Sequence, residues 1–146
     1  MNFRIKSFSE LTAEELWEIY NLRAKVFVVE QECAYLDVDE HDKVSYHIMA
    51  YDEDGLQGYA RVLPENRVFD QVSFGRVISM KRRTGLGTEI VKRAVRTAQE
   101  KFHADEIVIE AQVYVKEMYE KLGFSTLGEE FLEDGIPHIK MCYERK

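Results

Sequence analysis

The stretch that most constrains the fold runs from "QVSFGRVIS" through "MKRRTGLG" and "TEIVKRAVRTAQEKF" to "EIVIEAQ". The outer two pieces are short, β-branched and apolar, the pattern of buried strands. Between them Ile90, Val91, Ala94, Val95, Ala98 and Phe102 recur at the spacing of a helix with one apolar face. A strand, a helix and a second strand in this order form a crossover, the connection that parallel neighbours require. The chain therefore reads as α/β in the broad sense, built on a mixed, partly parallel sheet.

The flanking segments fill in that sheet. "FRIKSF" alternates as a half-buried strand does, and Thr12 with Glu15 forms a capping box ahead of Leu16, Ile19, Tyr20, Arg23 and Phe27 on one helical face. From about Val28 to Ser45 periodicity fails, which predicts a long loop, a kind of segment that often carries function. "YHIMAYD" and "LQGYARVL" are strand-like and joined by "DEDG", where Asp54-Gly55 signals a hairpin. "VKEMYEKLGF" reads as a short helix capped by Gly123, and "HIKMCYE" as the closing strand. The predicted order is β-α-β-β-β-α-β-α-β. With 146 residues, 45% of them hydrophobic, and no linker-like tract, a single domain over residues 1–146 is expected.

Charge and cysteine usage narrow the function classes. A formal charge of −7 argues against a general nucleic-acid binder and suits a small or cationic substrate. Cys33 and Cys142 lack CxxC spacing, the N-terminus lacks the apolar core of a secretory signal, and no apolar run approaches the roughly 20 residues of a membrane helix. A cytoplasmic protein without membrane association is expected. "DVDEHD" is no calcium loop, since Asp42 and Ile48 stand where the glycine and glutamate would be needed, and no metal is expected. This run and "EEFLED" read as charged, solvated loops, the alternative being that they draw an amine toward the pocket by long-range attraction.

The glycine-containing turn asks for an anion. The first amides of a helix lack intrahelical partners and carry partial positive charge, and glycines let a ligand approach the backbone. Gly85 and Gly87 open the helix, and Lys81, Arg82 and Arg83 add attraction. The P-loop pattern fails because no glycine-lysine pair occurs, and the dinucleotide fingerprint fails because Ile90 occupies its third glycine position. The competing account is a solvated basic first turn whose glycines serve only the turn.

"RRTGLG" matches the Q/R-x-x-G-x-G/A signature of the GNAT N-acetyltransferases, and "VKEMYEKLGF" resembles their A-x-x-F-Y-x-x-x-G-F segment. "FVVEQEC" followed by Y-x-D-x-D, with "YARV", "GRV" and "EDGIPHIKM", is similar to the ElaA-type subgroup. The resemblance spans essentially the whole chain and implies a GNAT-like sheet flanked by helices on both faces. It implies acetyl-CoA as cosubstrate, its pyrophosphate held by the backbone of Arg82, Arg83, Thr84, Gly85, Leu86, Gly87 and Thr88. The pantetheine arm would pair with main-chain groups of Val77 and Ser79 and meet Gln112, which replaces the commoner asparagine with a longer amide. Val115 and Met118 stand where alanine and phenylalanine are commoner.

The same resemblance makes Tyr119 the general acid for the departing thiolate. Its hydroxyl type suits the task, since an ordinary phenol pKa of about 10 lies not far above a thiol's 8.5. The residues alone also allow a core aromatic at helical spacing from Val115 and Leu122. A protonated amine needs a base before it attacks, and Glu110 and His138 are the candidates. Glu30, Gln31 and His47 are candidates for the acceptor pocket, although histidines on strands commonly play structural parts. An acidic neighbourhood blunts Cys33 as a nucleophile, which favours direct transfer to a small-molecule or peptide amine. Family members are often dimers, so a homodimer is compatible, while no stretch singles out an interface. The alternative function is a non-catalytic module that binds or senses acyl-CoA.

Overall fold

The computed structural model describes residues 1–145. Seven strands and three α-helices follow in the order β1 (Asn2–Ser7), α1 (Ala13–Arg23), β2 (Tyr46–Asp52), β3 (Gly55–Leu63), β4 (Ser73–Ser79), α2 (Leu86–Phe102), β5 (Glu106–Gln112), α3 (Lys116–Lys121), β6 (Ser125–Glu133) and β7 (Ile136–Glu144). The expected capping box forms: the Glu15 amide donates to Thr12 Oγ1 at 3.1 Å and the Thr12 amide to Glu15 Oε1 at 2.9 Å. Helix α1 then loosens into wider π-helical turns over Ala24–Glu30, where the β-branched run Val26, Val28 and Val29 is a poor α-helix former.

Two antiparallel sheets result, ordered β1-β2-β3-β4 and β5-β7-β6. The crossover through α2 does place β4 beside β5, but the parallel contact is a single bridge between Val72 and Ile107, with the Val108 amide donating to the Val72 carbonyl at 3.0 Å. Beyond it no ladder joins β4 to β5 among the described residues, so the strands part and a cleft begins at their C-terminal ends. A bulge in β4 contributes to the divergence. Tyr59 pairs with Ile78 and Arg61 with Gly75, leaving Arg76 and Val77 opposite Ala60, with Arg76 at φ 53°.

Helices cover both faces, as the resemblance implies. Ile90, Val91, Ala94 and Ala98 of α2 pack on Ile48, Ala50, Ala60 and Val62 and continue onto Ile107, Ile109 and Met141, so one apolar layer ties the two sheets together. On the opposite face Ile19, Leu22 and Phe27 cover Met49, Tyr51, Tyr59 and Ile78. Gly58 sets how closely α2 approaches: a β-carbon there would overlap Ile90 Cδ1 and sit 3.2 Å from the Ile78 carbonyl oxygen.

Strand β6 is absent from the sequence-based order. All nine of its residues are exposed, so it lacks the buried alternate positions that make a strand visible, and a register shift between Leu127 and Phe131 breaks what period remains. It joins β7 through Asp134 and Gly135, at φ 50° and 77°, a two-residue turn with both central residues in the left-handed region.

The segment after α1 also departs from expectation. "DVDEHD" is not a solvated run, because Asp37 and Asp42 are buried against three arginines drawn from α1, β3 and β4. Arg23, fully enclosed, donates from Nε to Asp37 Oδ2 at 2.8 Å and from Nη1 to Asp42 Oδ1 at 2.7 Å. Arg61 reaches Asp39 Oδ1 at 2.6 Å and Asp42 Oδ1 at 3.1 Å, and Arg76 reaches Asp37 Oδ1 at 2.7 Å. The connection is therefore clamped to the sheet by charge pairing, with a short 3-10 turn at Glu40–Val44.

Candidate active site

The turn before α2 is built around its left-handed residues. Arg83 lies at φ 60° and Gly85, the N-cap, at φ 82°. Thr84 Oγ1 donates to the Lys81 carbonyl at 2.5 Å and closes the turn. The first amide with an internal acceptor is that of Glu89, which donates to Gly85 at 3.0 Å, so the amides of Leu86, Gly87 and Thr88 find no partner among the described residues.

The two glycines differ in what the fold asks of them. Gly85 is required by its backbone angle, although a β-carbon there would meet nothing within 4 Å. Gly87 has ordinary helical geometry, and a β-carbon would make only van der Waals contacts at 3.7 Å to Met118 Sδ and Ser79 Cβ. Neither packing nor conformation of the protein alone accounts for glycine at 87.

The three cations of the turn divide. Lys81 bonds Asp52 at 3.1 Å, which holds its ammonium above the usual lysine range and fastens the turn to the β2–β3 hairpin. Arg82 and Arg83 are exposed and make no ion pair among the described residues, so they remain available to an anion.

Tyr119 sits where α3 meets the core. Its ring packs edge-on against Phe124 at 5.5 Å and beside Phe74 at 6.3 Å, and Gly123 turns the chain after it, donating to the Glu120 carbonyl at 3.1 Å. The ring is buried, yet the hydroxyl makes no hydrogen bond to protein and is not among the sealed polar atoms. Burial, with a smaller push from Tyr114, raises its pKa well above that of an ordinary phenol. The group keeps its proton across the neutral range.

Gln112 ends β5 and pairs in register with His138 of β7, as Glu110 pairs with Lys140. These four share the face of the second sheet away from α2. His138 Nδ1 donates to the Ile136 carbonyl at 2.7 Å, and Nε2 lies 3.8 Å from Glu133 Oε2. Burial, and after it the Glu133 carboxylate, raises the Glu110 pKa, against the opposing pull of His138 and Lys140. The structure thus brings Glu110 and His138 together and adds Glu133, which the sequence reading had left in a solvated acidic run. The repeated Asp-Gly turn signal at Asp134-Gly135 was the clue that β6 and β7 form a hairpin with Glu133 at its end.

Glu30 and Gln31 lie at the end of the π-helical turns, and Cys33 just beyond approaches the Asp134 carbonyl of the β6–β7 turn at 3.8 Å. That contact puts the Glu30–Cys33 bend over the same end of the second sheet. The Cys33 thiol pKa is raised, by desolvation first and by Asp134 second. His47 goes elsewhere. It is fully buried beneath α1, with Nδ1 bonded to the Tyr59 hydroxyl at 2.5 Å and Nε2 to the Asp42 carbonyl at 2.9 Å, and burial lowers its pKa. Both nitrogens are bonded, one to the Tyr59 hydroxyl and one to the Asp42 backbone carbonyl, so His47 ties the 31–45 connection to the sheet beneath α1.

Strands that part beside a glycine-opened helix terminus, with a buried tyrosine across from it, form the framework of an acyl-CoA N-acyltransferase. Residues 9–145 match the family model described as acetyltransferase (GNAT) domain. The chain is 38% identical over 148 residues to a UPF0039 protein of Schizosaccharomyces pombe, covering 99% of this chain and 97% of that protein. Against the Escherichia coli protein ElaA it is 34% identical over 140 residues, 93% of this chain and 92% of ElaA, and the ElaA crystal structure superposes with a TM-score of 0.91. A Pseudomonas aeruginosa acyl-CoA N-acyltransferase superposes with a TM-score of 0.90 at 36% identity, covering 98% of this chain and 99% of that one. The protein belongs to the GNAT acetyltransferase family, in the company of the ElaA proteins, and is an acyltransferase. Among the described residues no helix is long and apolar enough to cross a membrane.

Proposed function

We propose that the protein is an acetyl-CoA-dependent N-acetyltransferase that passes the acetyl group directly to a primary amine of a small molecule or peptide. Gly87 is the observation that carries this reading, since its glycine is explained neither by strain nor by packing and its amide is the middle one of three without partners. The donor's diphosphate suits this terminus: backbone amides of Arg82 to Thr88 hold it, Arg82 and Arg83 add attraction, and the main chain of Val77 and Ser79 with the Gln112 amide guides the arm along the cleft. The cosubstrate supplies an activated thioester. Tyr119 supplies the proton that the sulfur takes as the carbon–sulfur bond breaks. Burial raises the tyrosine pKa, and the same dry surroundings raise a thiol's, so the gap between donor and leaving group need not widen. Glu30 and Gln31 are assigned to the rim of the acceptor pocket.

The test supplies acetyl-CoA with pooled amines and follows free thiol together with acetylated product by mass spectrometry. Amine-dependent release of both in equal amounts is expected. Acetyl-CoA binding without turnover of any amine would leave a module that only binds the acyl donor, and failure to bind CoA would end the reading.

A further inference from the structure

We infer that the acceptor amine is received on the α2-distant face of the second sheet and that His138 Nε2 takes its proton, with the Ile136 carbonyl holding the imidazole in place and Glu133 standing beside Nε2 to draw the amine in. The inference rests on the acetyl-transfer reading above and extends it to a catalytic base and the carboxylate beside it. The geometry carries it. A carbonyl oxygen can only accept, so the 2.7 Å contact to Ile136 fixes a proton on His138 Nδ1. In the neutral ring the lone pair then belongs to Nε2, which forms no hydrogen bond and is not among the sealed polar atoms, although the side chain is only 11% exposed. Phe131 stacks on the ring at 6.0 Å and the Nδ1 bond holds its edge, while Glu133 Oε2 stands 3.8 Å from Nε2.

Position completes the argument. His138 is the direct cross-strand partner of Gln112, the residue that ends β5 at the cleft, and such partners have β-carbons about 5 Å apart. The charged groups that face the imidazole are Glu133 on β6, Glu110 on β5 and Lys140 on β7. The Glu133 carboxylate beside Nε2 gives this end of the sheet an attraction for a cationic amine.

The proton balance is direct. The bound ammonium yields one proton to Nε2, and its freed electron pair forms the new carbon–nitrogen bond. The carbon–sulfur pair leaves with sulfur, which is protonated by Tyr119. The second nitrogen proton returns to the Tyr119 oxygen through water, and the imidazolium releases its proton to solvent.

The test compares ethylamine with 2,2,2-trifluoroethylamine, acceptors of similar shape whose nitrogens differ in basicity, using wild type, His138→Gln and Glu133→Gln. His138→Gln is expected to lower kcat for ethylamine by about a hundredfold, the usual scale of general base catalysis. For the fluorinated amine, already neutral at the assay pH, it should change kcat by less than about threefold on the same reasoning. Glu133→Gln should give a smaller loss with the same amine dependence and should shift the pH profile of kcat. Acetyl-CoA affinity, measured by calorimetry, should be unchanged in both variants. Nitrogen-15 spectra of the free protein at alkaline pH should show His138 protonated at Nδ1. Equal losses on both amines, no loss on either, or an Nε2–H tautomer would overturn the assignment while leaving acetyl transfer standing. Absence of wild-type turnover with coenzyme binding intact would overturn both.

Discussion

Replacing Asp42 with asparagine should destabilise the protein severely, although the residue touches neither the glycine turn before α2 nor Tyr119. The carboxylate is 1% exposed and bonds Arg23 at 2.7 Å and Arg61 at 3.1 Å. In the cluster Arg23, Arg61 and Arg76 face Asp37, Asp39 and Asp42, so the variant leaves three cations against two anions, with Arg23 and Arg61, the partners of Asp42, almost fully buried. Removing one partner of a buried ion pair costs about 3–5 kcal/mol. Against a whole-domain stability of about 5–15 kcal/mol that is a large share. At roughly 3 °C per kcal/mol for a domain of this size, Tm should fall by about 10–15 °C. Acid dependence provides an independent check. Burial pushes the Asp42 carboxyl up, but the Arg23 and Arg61 guanidiniums pull it down further, and its pKa is lowered overall, as is that of Asp39. A carboxyl with a depressed folded-state pKa contributes stability above its unfolded value, near 4, and loses that contribution as pH falls through the folded value. The wild type should therefore lose stability below about pH 4 more steeply than Asp42→Asn. Thermal unfolding followed by circular dichroism from pH 7 to pH 3 reads both effects. A Tm drop under about 3 °C at pH 7, or parallel acid profiles, would refute the claim that this cluster clamps the connection.

Tyr119→Phe should lower kcat by about a hundredfold or more while acetyl-CoA affinity stays within twofold, because only a donated proton is lost; steady-state kinetics and calorimetry decide, and unchanged kcat would remove the tyrosine from the mechanism. The same variant should leave Tm nearly unchanged, since its hydroxyl has no protein partner to abandon. Gly58→Ala should cost about 1–3 kcal/mol in urea unfolding, as the new methyl meets Ile90 and the Ile78 carbonyl and forces α2 off the sheet; a neutral result would mean the helix has room to shift.

What could be read in advance was whatever depends on neighbours in sequence. The Thr12–Glu15 box, the Asp54-Gly55 hairpin, the Gly123 cap and the apolar face of α2 are all local signals, and each stands where expected. The glycine turn that opens α2 was legible for the same reason. The misread parts are those decided by partners far along the chain. Nothing near "DVDEHD" announces that Arg23, Arg61 and Arg76 lie 14 to 39 residues from their acids, so a buried cluster looked like a solvated loop, and His47 looked available when Tyr59 and Asp42 already held it. Strand β6 was hidden by its uniform exposure, and with it Glu133 beside His138.

The central claim is that the glycines opening α2 leave its amides free to grip a diphosphate. Its most direct measurement is acetyl-CoA affinity of the double variant Gly85→Asn, Gly87→Leu. Asparagine tolerates the left-handed angle at 85, leucine is a good helix former at 87, and neither alters charge. The account predicts that the variant folds with Tm close to wild type while its dissociation constant for acetyl-CoA rises at least about tenfold, or 1.4 kcal/mol. A folded double variant that binds acetyl-CoA as tightly as the wild type would contradict it.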